Sequence, residues 1–447
     1  MKARELNRRR FLKEAAGVSV VALGFPCVIA SSGYGRLRPD ESALGKGGSV
    51  APSERIVMGC IGVGSQGTGN MRGFLGKSEA QVVAVCDVIE SRRQEAKDIV
   101  DRRYGDKGCA AYNDFRDVLA REDIDAVVIV TQDHWHAVIA VAAAKAGKDM
   151  YCEKPLGVSV VEGRAIRDAI RRYGRVFQTG TQQRSDSKFR FACELAINGY
   201  VGRIHTVKVA APGPEYKRTY QKPPVEEPMP AGLDYDMYIG PAPMKPYNGG
   251  RLAWPDWYLI WDYCAGFSVN WGVHHLDIAN WGCPAVADEP FEVKGRAGYR
   301  NDGLTDNIND WQAEFNYVSG LRMSFTDTGN PNKQGCQFEG DKGWVHVDRG
   351  GIWAEPASLL EVKIKPDEAH LYESANHHAD FLNCVRTRSD PVSPVEAGHK
   401  ASYLGLITDI AGRLKRKLKW DPVKEQFVDD DEANRMLSRP MRSPWHL

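Results

Sequence analysis

The chain has no excess of charge of either sign: in its 447 residues, 59 lysines and arginines are balanced by 58 aspartates and glutamates. This balance provides no electrostatic footprint for nucleic acid or for an anionic lipid surface. The 10 cysteines include no C-x-x-C pair, no zinc-type spacing and no compact disulfide framework. The sequence also has no internal repeats. What is left is a globular protein, long enough for two domains, with a small molecule as its expected partner.

The first thirty residues differ in character from the rest. RRRFLK at 8–13 resembles the twin-arginine export motif, and an apolar stretch from Ala15 to Ala30 follows it. This stretch is too short and too rich in glycine for a membrane span. We therefore predict a signal peptide at 1–30 and a periplasmic or secreted protein with no membrane span after its removal. An amphipathic helix, or a lipid attached to Cys27 despite the unfavourable Pro26, are the alternatives.

The remaining chain divides into a linker and two domains. Residues 31–54 are rich in Gly, Ser and Pro. Between 55 and 180, continuous apolar runs alternate with helical segments, which predicts a Rossmann domain: a doubly wound parallel sheet, buried on both faces. From 181 to 447, alternating apolar residues and Ser-Gly or Asp-Lys-Gly turns predict an open, mainly antiparallel sheet with helices on one face. The fold class is thus α/β followed by α+β.

A glycine motif directly follows the first apolar run. Gly62, Gly64 and Gly67, with Ser65 and Gln66 between them, form G-x-G-x-x-G where a strand gives way to a helix. The first glycine permits the tight turn, the second lets the backbone approach a pyrophosphate, and the third allows close packing of helix on strand. The alternative is a vestigial dinucleotide site that stays empty.

An acidic residue ends the second apolar run. Asp87 is placed to accept hydrogen bonds from the adenosine ribose hydroxyls, which favours NAD. Arg92 and Arg93 follow closely enough to leave NADP possible.

Further polar residues follow the next two strands. Thr131 and Asp133 come after one strand, and Glu153 and Lys154 after the next. Ligands of such sheets bind at these strand ends, so we expect all four residues beside the cofactor. A lysine at this position could stabilise developing alkoxide charge, although in isolation a surface ion pair is the simpler interpretation.

From residue 55 to its end, the chain resembles the glucose-fructose oxidoreductase, inositol dehydrogenase and MocA (Gfo/Idh/MocA) family, through GCIGVGSQG, CDV, TQDHWH and above all EKP. The resemblance implies that Lys154 lies at the nicotinamide and the substrate, and that the following proline is commonly cis. The family's second signature, D-x-G-x-H-x-x-D, reads NWGVHHLD at 270–277. His274 then matches the catalytic histidine, while Asn270 replaces the aspartate.

Helical spacing places Asn270, His274 and Asp277 on one face. Asparagine can form a hydrogen bond with a sugar hydroxyl but cannot take a proton. Either His274 transfers the proton alone, or Asp277 or another group assists it. A buried structural pair of His274 and His275 is the alternative. A metal site is not expected, because adjacent helical side chains diverge by ~100°.

Two further groups are candidates for substrate contact. GTQQR at 180–184 resembles the family stretch after the last Rossmann strand, which implies Gln183 and Arg184 near the substrate. A segment crowded with aromatic residues follows, in which Trp261 and Tyr263 are the better site candidates. Aromatic rings suit the apolar faces of sugars, although core packing or a subunit interface explains them equally well.

Together these residues predict an exported NAD(P)-dependent oxidoreductase that acts on a carbohydrate or polyol hydroxyl, with Lys154, His274 and Asn270 as catalytic residues. Free cofactor is expected to be scarce outside the cytoplasm, which favours a retained cofactor. A relative that hydrolyses glycosides by oxidation, elimination and re-reduction is one alternative, and a non-catalytic sugar- or nucleotide-binding relative is another. The resemblance also implies a homo-oligomer, either a dimer or a tetramer.

Overall fold

The computed structural model describes residues 51–214, 224–300, 303–328 and 333–447. The predicted signal peptide at 1–30 and almost all of the linker at 31–54 lie outside these ranges. No helix of the described residues is both long enough and apolar enough to cross a membrane.

The first sheet has six parallel strands in the order β3-β2-β1-β4-β5-β6. Its strands are β1 (Ile56–Ile61), β2 (Ala80–Cys86), β3 (Ala110–Tyr112), β4 (Ala126–Ile129), β5 (Asp149–Cys152) and β6 (Phe177–Thr179). The helices between them are α1 (Ser65–Leu75), α2 (Glu90–Tyr104), α3 (Phe115–Ala120), α4 (Asp133–Lys145) and α5 (Val160–Tyr173).

Local sequence explains these elements. All four residues of β4, AVVI, are buried, as expected for a strand covered by helices on both faces. Ser159 caps α5 by accepting a hydrogen bond from the backbone N–H of Glu162 over 3.3 Å, and Gly174 ends the helix in the left-handed region at φ 61°. The short strand β3 and helix α3 were not predicted, because neither has enough residues to show a periodicity.

The second sheet has nine strands in the order β13-β12-β11-β7-β10-β9-β8-β14-β15. All pairings are antiparallel except that between β7 and β10. Its strands are β7 (Ile204–Ala211), β8 (Phe291–Tyr299), β9 (Ile308–Tyr317), β10 (Arg322–Asp327), β11 (Gly335–Gly340), β12 (Gly343–Val347), β13 (Ile352–Glu355), β14 (Leu418–Asp421) and β15 (Gln426–Phe427).

The helices of this region are α6 (Ser187–Ile197), α7 (Tyr235–Ile239), α8 (Phe267–Asn270), α9 (Gly272–Gly282), α10 (Ala285–Asp288), α11 (His377–Thr387), α12 (Val395–Leu414) and α13 (Asp431–Arg435). Short 3-10 turns lie at Pro52–Glu54, Gln182–Ser185, Gly249–Arg251, Asp256–Leu259 and Ala357–Glu361. Helices α6, α9 and α12 pack on one face of the sheet, over a core that contains Trp311, Phe315, Phe325 and Phe338. The predicted fold class is confirmed in both parts.

The C-terminal part of the chain also packs on the first sheet. Phe381 in α11 lies in one core with Phe74 and Tyr151, at ring-centroid distances of 5.9 and 6.2 Å. Near the end of the chain, Trp445 packs against Trp135 with ring centroids 4.7 Å apart. A division at 180/181 therefore describes the two sheets but not the packing of these later segments.

Candidate functional site

A cleft of about 700 Å³ opens at the carboxyl ends of the parallel strands. It lies where the strand order reverses, between β1 and β4, which is the usual ligand position in sheets of this kind. All the predicted cofactor-binding residues line it, namely Gly62, Gly64, Ser65, Gln66, Gly67, Asp87, Thr131, Asp133, Glu153 and Lys154. His274, Gln182, Arg349 and several aromatic side chains from the second region complete the wall.

A glycine is required at each of the three positions of the motif for a different structural reason. Gly62 has φ +81°, and a Cβ there would lie 2.4 Å from the carbonyl oxygen of Val130. A Cβ on Gly67 would lie 1.9 Å from the carbonyl oxygen of Gly62, so this glycine allows α1 to pack on β1. A Cβ on Gly64 would meet only Nη1 of Arg92, at 3.7 Å, and would otherwise enter the cleft. The open backbone at Gly64 is therefore suited to a ligand in close contact.

One end of the cleft holds the carboxylate of Asp87, with the Arg92 guanidinium nearby. Asp87 accepts hydrogen bonds from the backbone N–H groups of Val63 over 3.0 Å and of Ile89 over 2.9 Å. Burial raises the pKa of the Asp87 carboxyl, while these hydrogen bonds and the nearby Arg92 oppose the increase. The carboxylate is held rigidly at the end of β2, where an adenosine ribose would lie.

Glu153 organises the middle of the cleft. Its Oε1 accepts hydrogen bonds from Gln66 Nε2 over 3.3 Å, Asn70 Nδ2 over 2.9 Å and Gln182 Nε2 over 3.2 Å. The buried carboxylate thus ties α1 to the segment after β6. Gln182 lines the cleft, although the residue that we had predicted there is its neighbour in the sequence, Gln183.

A buried relay joins Lys154 to Asp133 through Asn270. Lys154 Nζ donates to Asn270 Oδ1 over 2.5 Å, and Asn270 Nδ2 donates to both carboxylate oxygens of Asp133 over 3.0 and 2.8 Å. The second oxygen of Asp133 also accepts from the backbone N–H of Ala265 over 3.0 Å. An ammonium can only donate and a carboxylate can only accept, so these partners fix the orientation of the amide. The peptide bond between Lys154 and Pro155 is cis.

The two charged groups of the relay, Asp133 and Lys154, both come from the first region of the chain, and the second region contributes the neutral Asn270. Burial raises the pKa of the Asp133 carboxyl, and the Lys154 ammonium acts in the opposite direction. Asn270 itself carries no charge, so Asp133 supplies the negative charge closest to the amide. Asp133 therefore holds the amide beside Lys154, and among the described residues it forms no hydrogen bond with His274.

His274 lies in the first turn of α9 and lines the cleft. Its Nδ1 has no hydrogen-bond partner among the described residues. Burial lowers the pKa of His274 well below its usual value, and the positive charges of Lys154 and Arg349 lower it further. The imidazole is therefore neutral at neutral pH and able to accept a proton.

The predicted single helix face at 270–277 is not observed. The helix is interrupted at Trp271, between α8 and α9, and Asp277 does not reach the cleft. Instead Asp277 accepts hydrogen bonds from Nε and Nη2 of Arg184, each over 2.7 Å, in a buried ion pair. Gln183 is also buried outside the cleft. The placement of these three residues gives no support to their predicted contact with substrate.

Other aromatic residues than the two predicted ones line the cleft. Tyr263 is buried against His134, with ring centroids 5.3 Å apart. Trp261 contacts two guanidinium groups, with Arg439 Cζ 3.6 Å and Arg413 Cζ 5.3 Å from its ring centroid. Neither ring lines the cleft, so these placements give no support to the predicted contact of Trp261 and Tyr263 with the substrate. The aromatic rings that line the cleft are Phe115, Trp135, Tyr238, Trp254, Trp257, Tyr258 and Trp271.

The many aromatic residues in the sequence identified the segment that lines the cleft, but they could not show which of its rings do so. Lys154 Nζ lies 6.0 Å from the centroid of Tyr258, which places this ring beside the relay.

Across the described ranges, no group of three or more His, Cys, Asp or Glu side chains is arranged to hold a metal ion. The nine cysteines of those ranges are all buried free thiols.

Two family models match the chain. The model described as "Oxidoreductase family, NAD-binding Rossmann fold" matches residues 56–181, and the model described as "Oxidoreductase family, C-terminal alpha/beta domain" matches residues 198–447. Both are models of the Gfo/Idh/MocA family. The chain belongs to this family. Its first sheet is therefore an NAD-binding domain of an oxidoreductase family.

Curated relatives match over about a third of the chain. Inositol 2-dehydrogenase of Salmonella typhimurium is 32% identical over 165 residues, covering 36% of this chain and 48% of that protein. A "Glycosyl hydrolase family 109 protein" of Shewanella baltica is 33% identical over 174 residues, covering 37% of each. The chain thus spans about half the length, or less, of the curated relatives it matches.

Solved structures share the fold over both sheets. The WlbA dehydrogenase of Bordetella pertussis, in complex with NADH and UDP-GlcNAcA, has a TM-score of 0.58 at 18% identity, covering 81% of this chain and 98% of that one. Scyllo-inositol dehydrogenase of Lactobacillus casei, with NAD(H) and scyllo-inositol, has a TM-score of 0.57 at 17% identity, covering 82% and 99%.

The residues of the cleft fit NAD. The backbone at Gly64 leaves room for a pyrophosphate at the start of α1, and the Asp87 carboxylate is placed for ribose hydroxyls. Thr131 lines the same cleft, and its buried Oγ1 has no partner among the described residues, as expected of a group that a ligand would satisfy. Lys154 and His274 would then lie at the nicotinamide end.

Proposed function

We propose that the protein is an NAD(P)-dependent oxidoreductase that oxidises a carbohydrate or polyol hydroxyl. The observation that carries the proposal is the convergence of Lys154, held by Asn270, with the neutral imidazole of His274 in one cleft with the glycine motif. This brings a hydrogen-bond donor and a proton acceptor to the same site. Inositol dehydrogenases among the relatives support a polyol or sugar as the substrate class.

NAD⁺, when bound, accepts a hydride at C4 of its nicotinamide. The residues do the rest of the chemistry. Lys154 donates a hydrogen bond to the reacting oxygen and stabilises the negative charge that develops there. His274 accepts the hydroxyl proton as the carbon loses its hydride, so that a carbonyl group forms. The rings of Trp257 and Tyr258 lie beside this place and suit the apolar face of a sugar.

We propose further that the cofactor stays bound and is recycled by a second substrate. The experiment is to purify the protein without added nucleotide, denature it, and identify the released compounds by mass spectrometry. Release of one NAD or NADP per chain is the expected result. A sugar panel then follows, read by near-ultraviolet nicotinamide absorbance of the folded protein, with Lys154→Met and His274→Gln as controls. No absorbance change with any sugar or polyol would contradict the proposal, and an empty protein would favour a non-catalytic relative.

A glycosidase is the second candidate, because glycosyl hydrolase family 109 proteins are among the relatives. That reaction would use the same Lys154 and His274, with oxidation, elimination of the glycosidic group and re-reduction. Reaction in D₂O separates the candidates. A hydrolysed sugar that carries deuterium beside the oxidised carbon indicates the glycosidase, and a deuterium-free carbonyl product indicates net oxidation.

Export and assembly complete the proposal. We propose that residues 1–30 direct the protein through the twin-arginine pathway to the periplasm or the medium, and that the mature chain forms a dimer or tetramer. Replacement of Arg8 and Arg9 by lysine should retain the precursor in the cytoplasm. Light scattering of the mature protein measures the assembly, and a monomer would contradict this part.

A further inference from the structure

Arg349 is an unpaired guanidinium at the mouth of the cleft. It lies in the turn between β12 and β13, where its side chain is exposed and lines the cleft. Its Cζ is 4.7 Å from the centroid of Trp271. Within the described ranges, the guanidinium has no carboxylate partner. A cation stacked on a ring in this way keeps its hydrogen-bond donors free at its edge.

The same turn contains the carboxylate of Asp348, but this carboxylate accepts hydrogen bonds from the backbone of the turn. Asp348 Oδ1 accepts hydrogen bonds from the backbone N–H groups of Gly350 over 2.6 Å and of Gly351 over 3.0 Å. Lys188 Nζ donates to the carbonyl oxygen of Arg349 over 3.2 Å, which anchors the turn from the other side. The backbone at Arg349 is thus fixed while its guanidinium remains available.

Among the described residues, neither of the carboxylates that line the neighbouring part of the cleft, Asp133 and Glu153, forms an ion pair with Arg349. The oxygens of Asp133 accept from Asn270 and Ala265, and Oε1 of Glu153 accepts from three side-chain amides. Both carboxylates are buried. At the position where the family motif has an aspartate beside the lysine, this chain has the neutral Asn270. Two cations, Lys154 and Arg349, therefore face the part of the cleft that contains His274.

We propose that Arg349 binds a carboxylate of the substrate, and that the substrate class is a sugar acid, a hexuronate or an aldonate, rather than a neutral sugar. The inference rests on the proposed function, since it concerns the substrate of the same site. A planar guanidinium pairs with a carboxylate through two parallel hydrogen bonds, and the ring of Trp271 holds the plane of that fork.

Geometry allows one monosaccharide to reach both groups. The rings of Trp271 and His274 have centroids 5.8 Å apart, and Arg349 stacks on the same indole. The carboxylate and the reacting hydroxyl of one sugar can therefore occupy neighbouring positions. Binding of the anion would also offset one of the positive charges that lower the pKa of His274, which would make the imidazole a stronger base.

The test is direct binding to the NAD-loaded full chain by calorimetry. Each sugar acid is paired with its neutral counterpart: glucuronate with glucose, galacturonate with galactose, and gluconate with sorbitol. We expect at least one acid to bind about tenfold or more tightly than its counterpart, as a charge-assisted pair would provide. Arg349→Gln should remove this preference, so that the acid binds no more tightly than its neutral counterpart. Arg322→Gln, an exposed arginine in β10, is the matched control and should keep the preference.

The outcomes separate the inference from the proposed function. No preference for the acid in any pair would overturn the inference, as would a preference that Arg349→Gln leaves intact. Tighter binding of glucose phosphate than of every sugar acid, lost in Arg349→Gln, would assign the site to phosphate and overturn the carboxylate. If the acids bind through Arg349 but the nicotinamide absorbance never changes, the oxidoreductase proposal fails while the binding site stands. If only neutral sugars are oxidised, the sugar-acid inference fails while the oxidoreductase proposal stands.

Discussion

Lys154 and Asn270 lie 116 residues apart in the chain, yet Nζ of one donates a hydrogen bond to Oδ1 of the other over 2.5 Å. The lysine follows the fifth strand of the first sheet and the asparagine ends a short helix that packs on the second. Asp133 holds the far side of the same amide. The orientation of the lysine thus depends on the correct packing of both regions.

Asp133→Asn should lower kcat. The variant has one acceptor oxygen where the carboxylate offers two, and its NH2 group would meet an N–H donor, so the Asn270 amide no longer has one fixed orientation beside Lys154. Loss of a charge-assisted hydrogen bond predicts a decrease of about tenfold or more. Steady-state kinetics measure it, with NAD affinity measured separately. An unchanged kcat would show that Asp133 does not act through Asn270.

His274→Gln should decrease kcat by roughly 10²- to 10⁴-fold, the usual contribution of a general base. The groups that face His274 also predict the pH profile of the wild type. Burial and the charges of Lys154, Arg349, His275 and His377 lower its pKa, so the imidazole stays unprotonated below the usual range of histidine. Activity should therefore persist on the acid side of pH 6. A loss of activity near an ordinary histidine pKa would contradict the assignment.

Substitutions of Gly64 and Gly67 should have different effects: the first on NAD affinity and the second on the stability of the fold. Gly64→Ala places a methyl group in the cleft with only Arg92 near it, so stability should be unchanged while NAD affinity falls roughly tenfold or more as the backbone can no longer approach the pyrophosphate. Gly67→Ala places the methyl group 1.9 Å from a carbonyl oxygen and should cost about 1–3 kcal/mol of unfolding free energy. Thermal unfolding and calorimetric titration of both variants check the pair. A loss of stability in Gly64→Ala together with a loss of only NAD affinity in Gly67→Ala would contradict the roles assigned to the two glycines.

The buried carboxyl group of Glu162 should make the free energy of unfolding depend on pH. Burial raises the pKa of this carboxyl from 4.5 to about 7, against the hydrogen bond that it accepts from Val158 N–H. The folded state therefore binds a proton that the unfolded state has released, and this contribution, about 3 kcal/mol, is present below pH 4.5 and lost as the pH rises through 7.

Glu162→Gln should remove that dependence. Unfolding by denaturant between pH 4.5 and 8 should show wild-type stability decreasing more steeply than that of the variant. Glu314→Gln, at an exposed position in β9, is the control and should follow the wild type. Parallel curves for wild type and Glu162→Gln would contradict a raised pKa.

Local patterns were sufficient to predict much of this protein. Continuous apolar runs, alternating strands and turn residues predicted both sheets, because strand and helix periodicity depends on neighbours in the chain. The strand predicted from IHTVKVAA is β7, Ile204–Ala211. The spacing of Gly62, Gly64 and Gly67 and the acid at Asp87 predicted the cofactor end of the cleft, because a strand, a turn and a helix position them within one unit.

The substrate end was decided by tertiary structure. Trp261 and Tyr263 were as good candidates as Trp257 and Tyr258 by residue type. In the folded chain the first pair packs against Arg439 and His134, and the second pair lines the cleft. Asp277 matched the motif, yet Arg184 pairs with it elsewhere.

Sequence alone therefore determined that this chain forms two sheets and a dinucleotide motif, since those features arise from short-range spacing. Tertiary structure decided that Asp133 supports Asn270 and that Arg349 faces His274. Such contacts join residues far apart in the chain, and their geometry is set by how the helices and strands pack, which no local pattern encodes.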